Sequence, residues 1–511
     1  MTELAWPSGL QPRQNGTRLA DLIRVLEPVG VYRLEPFGDE SVTALAFHSG
    51  EVSLGTLFFA VPGTRDDGAR YVDEALERGA LAIVCERPMN LRVPVIVVRD
   101  VRTALADAAR AFYDDPSAQL ATIGVTGTNG KTTTTHLLRH VLETDDRPTG
   151  LLGTISYEFG GRRIPASNTT PDAVRLQGYL REMVDRRVQA CVMEVSSHAL
   201  EQQRVRGVRF RAGVFTNLTQ DHLDYHGTMA NYARAKARLF ALLRPGGFAV
   251  LNVDSPAASL MYEAVPSGVK VLGFGRSEGA AIRAVDVQCA IDGTRFRLCM
   301  PHGEHLVHLP LPGEHNVENA LAAAAAAQGL GVSEIAIAHA LETAPPVRGR
   351  MEPVGARGSA RVFVDYAHTP DAIEKACATL RKLGDGPLTI VFGCGGDRDR
   401  SKRPQMARAA AKWAERVFIT SDNPRSEDPE AILDEVERGL LEIPADQELR
   451  VREYARITDR SHAIVEAVRR ARPDEMVLIA GKGHETYQIL ADAVVPFDDR
   501  EWARKALASR G

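Results

Sequence analysis

The stretch "IGVTGTNGKTTTTHLL", residues 123–138, constrains the fold more than any other. An apolar run enters a turn holding Gly127 and Gly130, and a helical pattern starts at about Lys131. A strand that feeds a helix through a tight glycine turn belongs to a βα unit, and such units assemble into parallel sheets. The rest of the chain repeats the alternation. "TLFFAV" and "ALAIVC" flank a helical segment near residues 71–78, "VPVIVV" follows, and a further helix reaches Tyr113. The pattern predicts an α/β protein with largely parallel sheets.

At 511 residues the chain has room for roughly three domains of about 100–200 residues each. "YDDPSAQL" reads as a linker ending near Gln119, and "PPVRGRME" as a second one, which predicts domains at 1–118, 119–346 and 347–511. In the last part, "RVFVDYAH", "LTIVFGCGG", "RVFITSDNP" and "MVLIAGKGH" are apolar runs with polar tips. Ligands of open α/β sheets bind beyond the carboxyl ends of the strands, so these four tips are expected on one rim.

A net charge of −4, with basic residues spread along the chain, gives no nucleic-acid or polybasic membrane surface. The alanine-rich stretch at 320–330 is too short for a bilayer, which takes about 20 apolar residues, and is expected to be a packed helix. The six cysteines form no metal-ligand spacing and read as reduced cytosolic thiols. Residues 1–16 lack a signal-peptide pattern and are expected to be a loose tail. A cytoplasmic monomer without a membrane span is the resulting expectation.

The glycine turn suits a polyphosphate. Backbone N–H groups of Gly127, Thr128, Asn129 and Gly130 and the helix start at Lys131, Thr132 and Thr133 would cradle it. Lys131 would reach the outer phosphates and the Thr132 hydroxyl a Mg²⁺ ion. The strict pattern wants glycine where Val125 stands, with Gly124 and Gly127 on either side. "ACVMEVSSH" ends an apolar run with Glu194, a Mg²⁺ candidate beside such a loop. In "FTNLTQDHLDYHG" His222 and His226 stand as alternatives. In "NYARAKARLFALL" Tyr232, Lys236, Leu239, Phe240 and Leu243 share one helical face. That sets Lys236 in an apolar stripe, where its ammonium either snorkels to water or is neutral enough to take up carbon dioxide as a carbamate. Periodicity alone favours snorkelling.

Together with "GEHNVENALAA", "RGRME", "DYAHTPDA", "FGCGGDRD", "DNPR" and "AGKGHE", these motifs resemble the Mur ligase family, the ATP-dependent amide-forming enzymes of peptidoglycan precursor synthesis. The resemblance runs through nearly the whole chain. It implies a uridine-nucleotide domain, a central ATPase domain of the phosphate-loop type and a Rossmann-like third domain that brings in an amino acid. It implies ATP, Mg²⁺ and a carbamylated Lys236, with Thr132, Glu194 and His222 as metal ligands, and so overturns snorkelling and selects His222. Asn319, Arg350 and Asp365 match ATP contacts.

Phe47, Ser49, Asn168, Thr169, Thr170, Ser196, Gln202 and Arg204 match contacts to UDP-N-acetylmuramoyl-L-alanyl-D-glutamate. Arg398, Asp422, Asn423, Pro424, Arg425, Gly481 and Glu485 match contacts to meso-diaminopimelate. The first domain departs from the family. His48-Ser49-Gly50 replaces an Asp-Ser-Arg sequence, and Thr64, Arg65 and Asp66 fall in variable places.

Arg425 follows Pro424 in "SDNPRSEDP", and a planar guanidinium pairs with a carboxylate through two parallel hydrogen bonds. Diaminopimelate has the terminal carboxylate that lysine lacks. The following acids, Glu427 and Asp428, either steady Arg425 or face water. The alternatives are an L-lysine-adding family member and a folylpolyglutamate synthase-like ligase; "DNPR" and the long first part argue against the latter.

Overall fold

A computed structural model describes residues 16–63, 67–355, 361–442 and 449–509. The expected tail and the Thr64–Arg65–Asp66 loop lie outside the described residues, apart from Gly16. The chain packs as two compact units: one holds the residues up to Arg283 with Leu321–Ile337, the other Ala284–Ala320 with the residues from Ala338 on.

Besides a two-stranded pair, Thr17–Arg18 with Ser41–Val42, the first unit contains two larger sheets. The smaller has the spatial order Gly30–Tyr32, Val95–Val97, Ala80–Cys85, Thr56–Phe59, Ala44–Ala46, parallel except at its first pair. The segment read as a linker is a packed turn. Pro116–Ala118 is a short 3₁₀ helix with Pro116 and Ser117 buried, and the Ser117 hydroxyl accepts the Arg209 N–H at 3.0 Å.

The larger sheet has Ala121–Thr126 near its centre. Ala190–Glu194 and then Thr149–Leu152 lie on one side, and Phe210–Phe215, Leu243–Asn252 and Lys270–Gly275 on the other, all parallel. Two antiparallel strands, Ser156–Phe159 and Arg162–Pro165, close one edge. Helices cover both faces, so the central strands are continuous apolar runs with Ile123, Val125, Val192 and Val214 wholly buried. Register does the positioning. Glu194 lies opposite Val125, and Phe215 opposite Thr126. The carboxyl ends of three strands therefore stop level with the glycine turn.

The second unit has an antiparallel hairpin, Gly293–Met300 with Gly303–Leu309, and a six-stranded sheet. The sheet order is Glu352–Val354, Arg361–Asp365, Met476–Ala480, Leu388–Cys394, Arg416–Ser421, Glu453–Arg456, parallel except at its first pair. Alternate residues serve opposite faces, as the strand period of two requires. Phe363, Ile390, Phe392, Ile419 and Leu478 pack with Ile373, Met406 and Ile432. Val364, Val391, Phe418 and Ile479 pack with Ile464 and Ala503. Helices on both faces give the doubly wound form, and the four expected strand tips lie at one edge.

The alanine-rich stretch lies in the helix Glu314–Gly329, with residues 320–327 fully buried. Among the described residues no helix is long and apolar enough to cross a membrane.

Candidate active site

The turn after Ala121–Thr126 is shaped from across the sheet. Gly127 has φ 151°, and a Cβ there would lie 1.9 Å from Thr216 Oγ1. That hydroxyl donates to Asn129 O at 2.6 Å, and Asn217 accepts the Thr128 and Asn129 N–H groups through its carbonyl and side chain at 2.9 and 3.0 Å. Val125, in the slot where the strict motif places glycine, is buried inside the strand, and Gly127 supplies the close approach instead. Gly130, at φ 85°, hands over to the helix Lys131–Thr144. Lys131 Nζ donates to Gly127 O and Thr128 O at 2.9 and 2.8 Å, curled over a helix N-terminus that favours anions.

Glu194 is fully buried at the next strand end, so its charge must be hydrogen-bonded. Thr154 donates its N–H to Oε1 at 2.8 Å and its hydroxyl to Oε2 at 3.0 Å, and Thr132 Oγ1 reaches Oε2 at 3.1 Å. Thr132 and Glu194 thus meet in one oxygen-rich spot, the donor type that Mg²⁺ prefers. Thr169 and Thr170 line the same region: Thr169 Oγ1 is 3.1 Å from Thr154 Oγ1, and Thr170 Oγ1 donates to Glu194 O at 2.9 Å and accepts the Ser196 N–H at 3.1 Å. Thr154, just after the strand Thr149–Leu152, belongs to none of the sequence motifs.

Lys236 does not snorkel. It lies in the helix Met229–Ala241, only 1% exposed, with Nζ 2.7 Å from Gly127 O and 4.3 Å from the centre of the Tyr232 ring. Leu243, counted on the same helical face, belongs to the following strand. Burial, and then the Lys131 charge, push the Lys236 amine well below its ordinary pKa. The two histidines part company. His226 is buried with Nε2 2.9 Å from Ser197 Oγ, whereas His222 is about half exposed. Burial lowers the His222 pKa, opposed by Asp221 and assisted by the charges of Lys131 and Lys236. The His198 ring, which the motif reading did not single out, stands edge-on to His222 at 4.9 Å.

Within the same unit lies a cleft of about 160 Å³, walled by loop and helix residues. Phe47, Asn168, Gln202 and Arg204 line it, together with His48, Arg102 and Arg175, which no motif marks. Arg175 is balanced by Glu51 and Asp172. Arg204 is tied to Gln202 Oε1 at 2.8 Å and Thr170 O at 3.1 Å, joining the cleft to the Glu194 region. Ser49 is turned to Glu74, with Oγ–Oε2 at 2.7 Å, and is not part of the lining. Helix starts carry Arg102 and Arg175. Arg102 stands two residues after its aspartate N-cap, Asp100, and Arg175 three residues after Asp172, so the caps, not a shared spacing, mark the helix starts that carry them.

In the second unit the tips after Leu388–Cys394, Arg416–Ser421 and Met476–Ala480 converge. Arg425 adopts φ 52°, unusual for a residue with a side chain, and Nη1 donates to Gly396 O at 2.8 Å. Arg398 is exposed, with Nη1 on Asp397 O at 2.9 Å. Lys482 Nζ and the Ile489 N–H both donate to Asn423 Oδ1 at 2.9 Å, so the Asn423 amide nitrogen is turned to Glu485 Oε2 at 3.0 Å. Gly481, at φ 115°, leaves room for Asp422, whose Oδ2 would lie 2.7 Å from a Cβ.

Glu427 and Asp428 neither touch Arg425 nor stand free. Glu427 pairs with the buried Arg403, and Asp428 caps the helix Pro429–Leu441. Asn319, Arg350 and Asp365 also belong to this unit. Asn319 is buried with Nδ2 on Asn316 Oδ1 at 3.1 Å. The Arg350 guanidinium lies 5.1 Å over the Tyr366 ring, and Asp365 Oδ2 accepts the Met351 N–H at 2.7 Å. Burial raises the Asp365 carboxyl, against the pull of Arg350.

Three family models match: Mur ligase family, catalytic domain, over 41–113; Mur ligase middle domain, over 125–327; and Mur ligase, glutamate ligase domain, over 349–483. The UDP-N-acetylmuramoyl-L-alanyl-D-glutamate--2,6-diaminopimelate ligase of Geobacillus thermodenitrificans is 47% identical over 479 residues, covering 93% of this chain and 96% of the relative. That of Chlorobium phaeobacteroides is 45% identical over 508 residues, covering 96% of each. A solved structure of a UDP-N-acetylmuramoyl-L-alanyl-D-glutamate--2,6-diaminopimelate ligase aligns with a TM-score of 0.70 at 33% identity, covering 97% of this chain and 99% of that one. MurF from Acinetobacter baumannii, at 21% identity and a TM-score of 0.65 over 92% of this chain and 96% of its own, shares the fold. With family models matching over most of its length and near full-length relatives at 45% and 47% identity, the chain belongs to the Mur ligase family.

Proposed function

We propose that this chain uses ATP to join the amine of meso-diaminopimelate to the glutamate carboxylate of UDP-N-acetylmuramoyl-L-alanyl-D-glutamate, a step of peptidoglycan precursor synthesis. The carrying observation is the 47% identity, over 93% of the chain, to a relative named for that reaction. A carboxylate is a poor electrophile, so it attacks the γ-phosphate of ATP to give an acyl phosphate and ADP. The amine then attacks the acyl carbon, and phosphate leaves from the tetrahedral intermediate.

The residues divide the work. The N–H groups of Gly127 to Gly130 and the ammonium of Lys131 take the phosphates, with Asn319, Arg350 and Asp365 as further ATP contacts. Phosphoryl transfer needs mainly alignment and charge neutralisation, which these groups supply. The arginine-lined cleft takes the anionic uridine substrate, and Thr169, Thr170 and Ser196 lead from it to the reacting carboxylate. Arg398, Arg425, Asp422, Asn423 and Glu485 take the amino acid.

The residues fit Mg²⁺ as resident metal. Thr132 and Glu194 offer hard oxygens at 3.1 Å from each other, and the family resemblance would add His222 and a carbamylated Lys236 as holders of a second ion. The ions would neutralise charge on the phosphates and hold them in line. Lys236 fits a carbamate because its amine is buried and its pKa pushed well down, which makes the neutral, nucleophilic form accessible. Uptake of carbon dioxide would turn a cation into a carboxylate-like ligand.

The test is phosphate release across an amino-acid panel in the presence of UDP-muramoyl dipeptide. Turnover is expected with meso-diaminopimelate and far less with L-lysine. Release independent of the UDP-linked substrate would overturn the reading.

A further inference from the structure

Arg398 and Arg425 stand on different loops, residues 395–398 and 423–427, and neither loop is helix or strand. Several contacts lace the loops together. The Gly396 N–H donates to Asn423 O at 2.9 Å, and a Cβ on Gly396 would lie 1.8 Å from Pro424 O. Ser426 Oγ donates to Asp397 Oδ1 at 2.7 Å. The second loop ends on Glu427. Its Oε1 accepts the Asp397 N–H at 2.6 Å and Arg403 Nη2 at 2.8 Å, and its Oε2 accepts Arg403 Nη1 at 2.9 Å. Arg403, from the helix Lys402–Trp413, is 1% exposed and pairs through Nη1 with Glu435 as well, at 2.9 Å. Two carboxylates thus share one buried guanidinium, but only Glu427 also grips the backbone of the Arg398 loop. The Arg403 hydrogen bonds are the main reason the Glu427 carboxyl is held down to about 2.

We infer that Glu427 is a positioning residue for amino-acid selection: by bridging buried Arg403 to the Asp397 N–H it sets the spacing of Arg398 and Arg425, and with it the preference for an amino acid carrying a second carboxylate. This rests on the reading that those two arginines hold diaminopimelate. The physical reason is that a charged donor discriminates only where it is held, to within about 0.5 Å, at the place its acceptor will occupy. A loosened arginine finds water instead.

Glu427→Gln in the full-length protein tests it, with Glu435→Gln as control. The amide keeps the size but turns N–H groups toward Arg403. kcat and KM are measured for meso-diaminopimelate and L-lysine at saturating ATP and UDP-muramoyl dipeptide, alongside thermal melts. Glu427→Gln is expected to lower the diaminopimelate-to-lysine ratio of kcat/KM by about tenfold or more, the scale of one misplaced charge-assisted hydrogen bond, chiefly through KM for diaminopimelate. Glu435→Gln is expected to cost comparable stability without changing the ratio. If Glu427→Gln does not fold, Glu427→Asp, too short to reach both partners, is expected to lower the ratio likewise. A wild-type ratio in the Glu427 variant, or an equal fall in the Glu435 variant, overturns the inference. A wild-type protein without preference overturns instead the reading beneath it.

Discussion

Replacing Arg425 separates what the side chain does from what the backbone pays for it. The residue sits at φ 52°, a left-handed conformation that costs a residue with a Cβ about 1–2 kcal/mol. Arg425→Ala removes the guanidinium and keeps the strain; Arg425→Gly removes both. The Gly variant is therefore expected to be more stable than the Ala variant by about 1 kcal/mol. Selectivity is expected to fall alike in both. Nη1 is anchored on Gly396 O, and the residue is only partly buried. A charge-assisted bond is worth about 1.5–3 kcal/mol, and two parallel bonds at the low end, as partial exposure dictates, come to about 3 kcal/mol, or roughly a hundredfold in kcat/KM. The assay is competition between meso-diaminopimelate and L-lysine with product quantified by mass, plus urea melts. Variants that retain the wild-type product ratio would refute the role of the guanidinium. Equal stabilities of the Ala and Gly forms would refute the strain.

Lys131→Ala is expected to abolish ADP formation in the presence of the UDP-linked dipeptide while the circular dichroism spectrum is unchanged; near-normal ATP turnover would sink the phosphate role. Lys236→Ala is expected to be almost inactive and partly rescued by short carboxylic acids, and full activity of that variant under carbon-dioxide depletion would exclude a carbamate. Acid stability is expected to report Glu427. Its folded carboxyl titrates at about 2 against an ordinary 4.5, so the unfolded chain takes up the proton first. Its contribution is present above about 4.5 and is lost as pH falls from there toward about 2. The wild-type melting temperature should drop over that window more steeply than that of Glu427→Gln, and parallel curves would argue against the pairing.

The glycine turn was legible because its information is local: strand, two glycines, lysine and threonine lie within a few residues, and the helix must start where the backbone turns. The strand tips were legible for the same reason, since an apolar run ending in a charged residue marks its own carboxyl end. The domain boundaries predicted at 118 and 346 rest on composition, whereas packing groups the first two predicted domains largely together and carries Ala284–Ala320 with the last.

What the tertiary structure alone decided was who faces whom. Helical spacing put Lys236 in an apolar stripe and favoured an ammonium reaching for water, but the partner that keeps it inside is Gly127 O, 109 residues away in sequence. No local pattern could separate His222 from His226. Packing gives them different surroundings, burying His226 against Ser197 and leaving His222 half exposed. Glu427 and Asp428, adjacent acids with the same sequence signature, received different tasks, because one faces a buried guanidinium from the next helix and the other a helix start. Local chemistry writes turns, caps and strand ends into the sequence. Burial, which decides whether a charge is paired, neutral or solvated, is a property of distant segments brought together, and it exists only once they meet.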